Sequence, residues 1–253
     1  MNRPLVLLAN DDGYDAKGLL AMREALVPDA DVVVCAPEAN QSATSHSLSL
    51  HRPLRLRKVE PEVFAVDGTP ADCVDIALHS GTRGLPRRPD LVVSGMNHGL
   101  NLGVDVFYSG TVAAAREAAL RRIPSIAVSA DAGAERRAAT ALGARIALAA
   151  WHMARESGCA LLLNVNVPRG TSWEVRATRI GSRLYEDDVV YRRDPRGREY
   201  LWIGGAGAHH EPAPGSDTEA YDEGVVGVTP LTLDLYDAAA MGSAAAVVAA
   251  VRG

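Results

Sequence analysis

Short apolar runs alternate with helical patterns through the first two thirds of the chain. The runs are LVLLA, DVVVCAP, VFAVDGT, PDLVVSG, IPSIAVS and LLLNVNV. Between the first two lies AKGLLAMREAL, which is typical of an amphipathic helix. Continuous apolar runs of this length indicate parallel strands that are covered on both faces. The pattern therefore predicts an α/β fold with a doubly wound, mostly parallel sheet.

Two helix starts are marked by capping residues. In DGTPADCVDIAL, Thr69 is suited to cap the helix, Pro70 to occupy its first position and Asp72 to complete a capping box. In YSGTVAAAREAALRR, either Ser109 or Thr111 caps an Ala-rich helix that ends before the run IPSIAVS. The pattern predicts a further helix over residues 134–156.

The pattern changes near residue 173. Two alternating strands follow, YEDDVVYRR and REYLWIGG, joined by the turn sequence DPRG. After them, VVGVTPL predicts one more strand and DAAAMGSAAAVVAAV predicts a terminal helix. We therefore divide the chain into a core, residues 1–172, and a C-terminal part, residues 173–253. A two-stranded ribbon is marginal in water, so the Tyr- and Trp-bearing arm, residues 185–205, is predicted to pack on another subunit.

Composition and charge narrow the class of protein. A chain of 253 residues with 47% apolar residues can bury a full core, and its net charge of −5 argues against a nucleic-acid surface. No apolar run has the length that a membrane span needs. The cysteines, Cys35, Cys73 and Cys159, are odd in number and widely spaced, so we expect small core residues in a reducing compartment, the cytoplasm.

Two adjacent carboxylates, Asp11 and Asp12, follow the first apolar run directly. Such a pair either shares a proton or needs a cation or several hydrogen-bond donors to hold both charges. An Asn-Asp-Asp-Gly turn is the alternative, because these residue types favour turns and helix caps. Taken alone, the stretch favours the turn.

Oxygen-bearing side chains also follow other predicted strands, in NQSATSHS and in MNHGLNLGVDVFYSGT. In an open α/β sheet, ligands bind beyond the carboxyl ends of the strands. Carboxylate, hydroxyl and amide oxygens suit Mg²⁺ or Mn²⁺ better than Zn²⁺. A cation between Asp11 and Asp12 would remove their repulsion.

The segment SGMNHGLNLGVDVFYSGTV combines glycines with a helix start. Glycines let the backbone approach a ligand, and free N–H groups at a helix start bind phosphate. The segment is neither a Walker A loop nor a dinucleotide fingerprint. Its spacing leaves open both a phosphate-binding loop and a plain glycine-rich loop.

Taken together, NDDGYDAKGL, APEANQSATSHSLSL, GTPADCV and DLVVSGMNHGLNLGVDVFYSGTVAAA resemble the SurE family of metal-dependent 5′-nucleotidases. The later DPRG, YLWIGG and DEGVVGVTPL look like that family's C-terminal part, so the likeness covers nearly the whole chain. The resemblance implies a Rossmann-like core, an extended C-terminal hairpin, and dimers or tetramers built through that arm.

The resemblance also assigns site residues. It implies one divalent metal ion per subunit, Mg²⁺ or Mn²⁺, with ligands at Asp11, Asp12, Ser42 and Asn97. It implies phosphate contacts at Asn101, Ser109, Gly110 and Thr111. We expect Asp12 to act catalytically as well, by orienting the attacking water. Ser45 stands where several members have Gly, and His98 stands at a position that varies, so no catalytic role is expected for His98.

The predicted reaction is hydrolysis of a nucleoside 5′-monophosphate to nucleoside and phosphate. A nucleoside hydrolase is an alternative, although the phosphate-suited SGT helix start counts against it. A haloacid-dehalogenase-like phosphatase would need a second Asp where this chain has Gly13. A metal- or nucleotide-sensing module without turnover stays open. The expected partner is therefore a nucleoside monophosphate, with no nucleic-acid polymer and no membrane.

Overall fold

The computed structural model describes residues 3–185, 189–203 and 207–252. The strands are β1 Leu5–Ala9, β2 Asp31–Pro37, β3 Leu56–Glu60, β4 Val63–Val66, β5 Leu91–His98, β6 Ser125–Ala130, β7 Leu162–Val167, β8 Val175–Ala177, β9 Ser182–Tyr185, β10 Val189–Arg193, β11 Glu199–Ile203, β12 Ala208–Glu211 and β13 Val226–Pro230. The helices are α1 Lys17–Leu26, α2 Pro70–His79, α3 Asp105–Tyr108, α4 Gly110–Leu120, α5 Arg136–Ser157, α6 Asp217–Asp222 and α7 Met241–Arg252.

A nine-stranded sheet, in the order β3-β4-β2-β1-β5-β6-β7-β13-β8, organises the fold. Neighbours from β4 to β7 are parallel, whereas β3 and β13 run antiparallel to β4 and β7. The predicted doubly wound, mostly parallel sheet is thus confirmed. The strand order reverses between β1 and β5, so a ligand crevice is expected beyond their carboxyl ends.

Helices cover both faces of the sheet, and β1 shows how. Val6 and Leu8 pack with α1 and α5, whereas Leu5 and Leu7 pack with α2 and α4. Alternate side chains of a strand point to opposite faces, so a strand that is covered twice is apolar throughout. This explains why the parallel strands appear in the sequence as continuous apolar runs.

The predicted helix starts are present. Thr69 Oγ1 accepts from Asp72 N at 3.1 Å and Asp72 Oδ2 accepts from Thr69 N at 2.9 Å, which completes the capping box of α2. Of the two candidate caps for α4, Ser109 is the one used, because its Oγ accepts from Val112 N at 3.1 Å. Thr111 is thereby left for another contact.

The cysteines only partly follow the sequence prediction. All three are free, and Cys35 and Cys73 are buried as expected. The prediction of a core position is wrong for Cys159, which is exposed because it follows Gly158, the left-handed residue (φ 70°) that ends α5. In the part of the chain that the structure describes, no helix has the length and apolar character that crossing a bilayer requires.

The C-terminal part contains the predicted hairpin. Strand β10 pairs with β11 and β9 with β12, and the DPRG turn closes through Gly197 N, which donates to Asp194 O at 2.9 Å. Tyr191 and Trp202 on the hairpin are 64% and 65% exposed. The predicted arm also includes residues 186–188, 204 and 205, which lie outside the described residues. The terminal helix starts at Met241, later than predicted, after a 3₁₀ turn over Ala238–Ala240.

Candidate active site

Asp11 lies at the carboxyl end of β1, buried against the start of α4. Its Oδ1 accepts a hydrogen bond from Thr111 Oγ1 at 2.5 Å. A Cβ atom at Gly110 would lie 2.8 Å from Asp11 Cβ, so the glycine permits this close packing. Burial raises the pKa of Asp11 to about 6, and repulsion by Asp12 adds to the rise, while the Thr111 hydroxyl opposes it. The structure therefore brings together three predicted site residues.

Asp12 lies half-buried beside Asp11 and joins two further strand ends. Its Oδ2 accepts from His98 N, at the end of β5, at 3.2 Å. Its Oδ1 accepts from Asn40 Nδ2, in the loop after β2, at 3.4 Å. These contacts are long, so both carboxylate oxygens keep acceptor capacity for a ligand.

The loop after β2 places Ser42 near this pair through its backbone. Gln41 N donates to Asp11 O at 2.7 Å, and Ser42 N donates to Asn40 Oδ1 at 2.9 Å. The side chain of Ser42 is exposed. The predicted ligand is thus in the adjoining loop, and the structure shows no direct contact between its hydroxyl and either aspartate among the described residues.

Ser45 in the same loop has a left-handed backbone, with φ 55°, a conformation that glycine adopts more readily than serine. Its hydroxyl donates to Phe107 O at 2.6 Å and its N–H to Tyr108 O at 3.0 Å, both in α3. These bonds compensate for the backbone conformation and hold the loop against α3.

Asn97 lies at the end of β5. Its side-chain Nδ2 donates to Gly99 O at 2.9 Å, which leaves Oδ1 as the free acceptor for a cation.

Asn101 is placed differently from the other predicted site residues. It is buried, its Nδ2 donates to Ser129 Oγ at 2.7 Å, and its backbone bonds with the side chains of Asn164 and Asn166. These partners belong to β6 and β7, so Asn101 anchors the loop that leads from β5 to α4. Its contact with phosphate stays a prediction.

The sequence did not reveal the role of Asp105 in the same loop. This buried carboxylate accepts from Leu102 N at 3.1 Å, from Arg183 Nη1 at 2.6 Å and from the Tyr185 hydroxyl. Nearby, Asp217 accepts from Gly103 N at 3.1 Å. The side-chain partners of Asp105, Arg183 and Tyr185, are far away in sequence, so a signal within the loop itself does not identify them.

His46, in the loop after β2, contacts α4. Its Nε2 lies 2.9 Å from Oε2 of the buried Glu117 in α4, and this hydrogen bond lowers the pKa of Glu117. This bond anchors the loop after β2 to α4.

The donor chemistry of this sheet edge fits a hard cation. Asp11, Asp12 and Asn97 offer carboxylate and amide oxygens, and the buried Asp11 has a hydroxyl rather than a cationic side chain as its partner. Across residues 3–185, 189–203 and 207–252, no cluster of three or more His, Cys, Asp or Glu side chains suits a metal. A cation here would therefore depend on amide, hydroxyl or water oxygens besides the aspartates, as Mg²⁺ and Mn²⁺ accept.

The family model described as Survival protein SurE matches residues 6–187. The chain belongs to the SurE family. A protein named 5′-nucleotidase SurE from Sorangium cellulosum (strain So ce56) is 71% identical over 238 residues, which cover 93% of this chain and 92% of that protein. A 5′-nucleotidase SurE from Anaeromyxobacter sp. (strain Fw109-5) is 52% identical over 231 residues, 90% of each chain. The crystal structure of the SurE protein from Aquifex aeolicus has a TM-score of 0.79 and 38% identity, covering 95% of this chain and 98% of that one.

Proposed function

We propose that this chain is a divalent-metal-dependent 5′-nucleotidase that converts nucleoside 5′-monophosphates to nucleoside and phosphate. The observation that carries the proposal is the buried carboxylate of Asp11, which packs against a helix start and is bonded by Thr111 at 2.5 Å. A cation site and an anion site thus adjoin each other at the switch point of the sheet. SurE-family relatives named 5′-nucleotidase support the same reaction.

One Mg²⁺ or Mn²⁺ ion per subunit would be held by Asp11, Asp12, Ser42 and Asn97. When bound, the ion polarises a phosphoryl oxygen and stabilises negative charge on the transferring group. Asp11 and Thr111 form a fixed unit, because the hydroxyl holds the carboxylate in place. A preorganised ligand of this kind lowers the cost of ordering the site.

The start of α4 would hold the phosphate of the substrate. Ser109 Oγ already accepts from Val112 N, and the Thr111 hydroxyl is bonded to Asp11. The backbone amide of Gly110 is therefore the first group that we assign to the phosphate oxygens, and the amide of Thr111, which also faces Asp11, is the second. Asp12 would orient the attacking water, since its carboxylate oxygens accept only long hydrogen bonds at 3.2 and 3.4 Å.

Removal of the metal tests the proposed reaction. We expect chelation to abolish phosphate release from adenosine 5′-monophosphate (AMP), and Mg²⁺ or Mn²⁺ to restore it, because oxygen ligands hold these ions reversibly. Free phosphate and free adenine are measured in the same reaction. Full activity after exhaustive chelation contradicts the metal requirement, release of adenine favours a nucleoside hydrolase, and AMP binding without either product favours a sensing module.

We further propose that the arm associates with a second copy of the chain, giving a dimer or tetramer. Cross-strand pairing of Val189 with Ile203 and of Tyr191 with Leu201 places four exposed apolar side chains on one face of the ribbon. The cytoplasmic location, in contrast, stays a prediction from the sequence.

Ile203→Glu tests the arm, because a charge within this apolar face opposes its burial. We expect the mass measured by light scattering to fall by at least half. The control Met153→Glu, at an exposed apolar position on α5, should leave the mass unchanged. A wild-type chain that is monomeric at the same concentration rules out the association.

A further inference from the structure

A cavity of about 430 Å³ opens beside Asp12 on the α1 and α5 side of the sheet. Its lining comes from Asp12 and His98, from residues 16–18 at the start of α1, and from the segment between β6 and α5 that includes Asp131 and Arg136. Larger cavities, of about 670 and 550 Å³, lie near Arg3 at the amino end of β1 and beside His79 of α2. Of these three cavities, only the one of about 430 Å³ reaches the carboxyl ends of β1, β5 and β6, where the proposed chemistry takes place.

The cavity lies across the aspartate pair from the proposed phosphate site. Asp11 packs against Gly110 and Thr111 at the start of α4, whereas its neighbour Asp12 lines the cavity. A substrate with its phosphate at α4 that extends over both aspartates therefore reaches the cavity with its remaining part.

We propose that this cavity binds the nucleoside part of the substrate, with the ribose hydroxyls at Asp131 and the base against its apolar side chains. The inference rests on the proposed nucleotidase function and adds to it the place of the leaving group. A volume of about 430 Å³ lies within the usual range for small-molecule sites.

The lining favours a neutral ring over a second phosphate. Apolar surface comes from small or flexible side chains at Ala16, Met96, Ala130, Ala132 and Ala134. The charged groups balance formally, since two carboxylates, Asp12 and Asp131, face two cations, Lys17 and Arg136. A base needs apolar contact with a few polar groups at its edge, and the planar guanidinium of Arg136 can also stack on it.

Asp131 is suited to the ribose because it is fixed and still partly accessible. Its Oδ1 accepts from Gly133 N at 2.8 Å and its Oδ2 from the Tyr221 hydroxyl at 2.8 Å, while its side chain stays 15% exposed. The Gly133 N–H lowers the pKa of Asp131, so the carboxylate is ionised at neutral pH. Arg169 Nη2 lies 4.0 Å from Asp131 Oδ2, an ion pair beyond hydrogen-bond distance. Of the roughly four acceptor positions of a carboxylate, two therefore remain for the vicinal hydroxyls.

Filling the cavity with a large side chain tests whether the nucleoside binds there. Ala132 lines the cavity and is exposed, so Ala132→Trp places a large side chain there without entering the core. We compare kcat/KM for AMP with kcat/KM for p-nitrophenyl phosphate, which has no ribose and a smaller leaving group. The ratio of kcat/KM for AMP to kcat/KM for p-nitrophenyl phosphate should fall at least about tenfold, mostly because KM for AMP rises. The control Ala149→Trp, exposed in the middle of α5, should leave the ratio unchanged.

A second variant tests the ribose contact without changing the volume. Asp131→Asn keeps the side-chain shape and can still accept from Gly133 N, but it presents an NH₂ group where an acceptor is needed. We expect kcat/KM for AMP to fall about 10- to 100-fold, the value of one hydrogen bond to a charged group. The same variant should hydrolyse 2′,3′-dideoxy-AMP as fast as the wild-type protein does.

Failure of this assignment differs from failure of the proposed function. Wild-type protein that hydrolyses neither AMP nor p-nitrophenyl phosphate contradicts the nucleotidase itself. The cavity assignment alone is overturned if the wild-type protein hydrolyses both substrates and two further results hold. One is an unchanged ratio of kcat/KM for AMP to kcat/KM for p-nitrophenyl phosphate in Ala132→Trp. The other is an equal loss of activity on AMP and on the dideoxy analogue in Asp131→Asn. The assignment is also overturned if Ala132→Trp weakens the binding of tripolyphosphate and leaves AMP hydrolysis intact, because the cavity is then a second anion site. Thermal unfolding of each variant shows that the fold is retained.

Discussion

Asp11→Asn is expected to lower phosphate release from AMP at least about 100-fold while making the metal-free protein more stable near pH 7.5. The loss of turnover follows from removing a charged ligand. The gain in stability follows from burial, which raises the pKa of Asp11 from 3.8 to about 6. A group with a raised folded-state pKa binds its proton more tightly in the folded protein, so stability falls as the pH rises from about 4 to about 6 and stays lower above that.

The shift in the Asp11 pKa corresponds to roughly 3 kcal/mol, which the asparagine avoids and which a bound cation would also offset. Thermal unfolding near pH 7.5, with and without Mn²⁺, measures this. We expect Mn²⁺ to raise the Tm of the wild-type protein and to leave that of Asp11→Asn almost unchanged. The exposed Asp29→Asn is the matched control and should behave as wild type. A metal-free Asp11→Asn that is less stable than wild type, or equally stabilised by Mn²⁺, contradicts the metal assignment.

Gly110→Ala is expected to lower kcat/KM for AMP at least about 100-fold, because a shift of about 1 Å in a site can cost that much. The new Cβ would lie 2.8 Å from Asp11 Cβ and 3.0 Å from Pro70 Cγ, so either α4 or Asp11 has to move. Both the proposed phosphate contacts and the proposed ligand are then displaced. We expect the variant to be inhibited less strongly by inorganic phosphate and also to bind Mn²⁺ more weakly, as measured by calorimetry.

The control for Gly110→Ala is Gly242→Ala in α7, where an added Cβ meets nothing within 4 Å. Alanine has the higher helix propensity, so this change should raise stability by up to about 1 kcal/mol and leave activity intact. Gly110→Ala with activity within about threefold of wild type would show that the start of α4 is only a packing contact.

The elements that the sequence predicted well are those determined by local chemistry. The capping box at Thr69 and Asp72, the DPRG turn and the apolar parallel strands each depend on neighbouring residues. The edge strands β3 and β8 and the helix α6 were not predicted, since β3 and β8 expose most of their residues and α6 is short. Their conformation depends on pairing and packing with distant segments.

In the candidate active site, too, the sequence predicted local features but not contacts between distant residues. The adjacency of Asp11 and Asp12 and the helix start at Ser109 were visible in the sequence. The Thr111 bond to Asp11 joins residues 100 positions apart, and the Asp105 bond to Arg183 spans 78 positions, so neither has a local signal. The family resemblance supplied candidate positions, and the structure adds which of them touch.

The place of β13 in the sheet affects how the chain can fold during synthesis on the ribosome. Strand β13, which appears late in the chain, pairs with β7 on one side and with β8 on the other. A nascent chain that has emerged only to residue 172 would therefore expose the apolar edge of β7, and such edges promote aggregation. Its loop from β5 to α4 would also lack Arg183 and Asp217. We expect the enzyme to become active only after translation has passed β13.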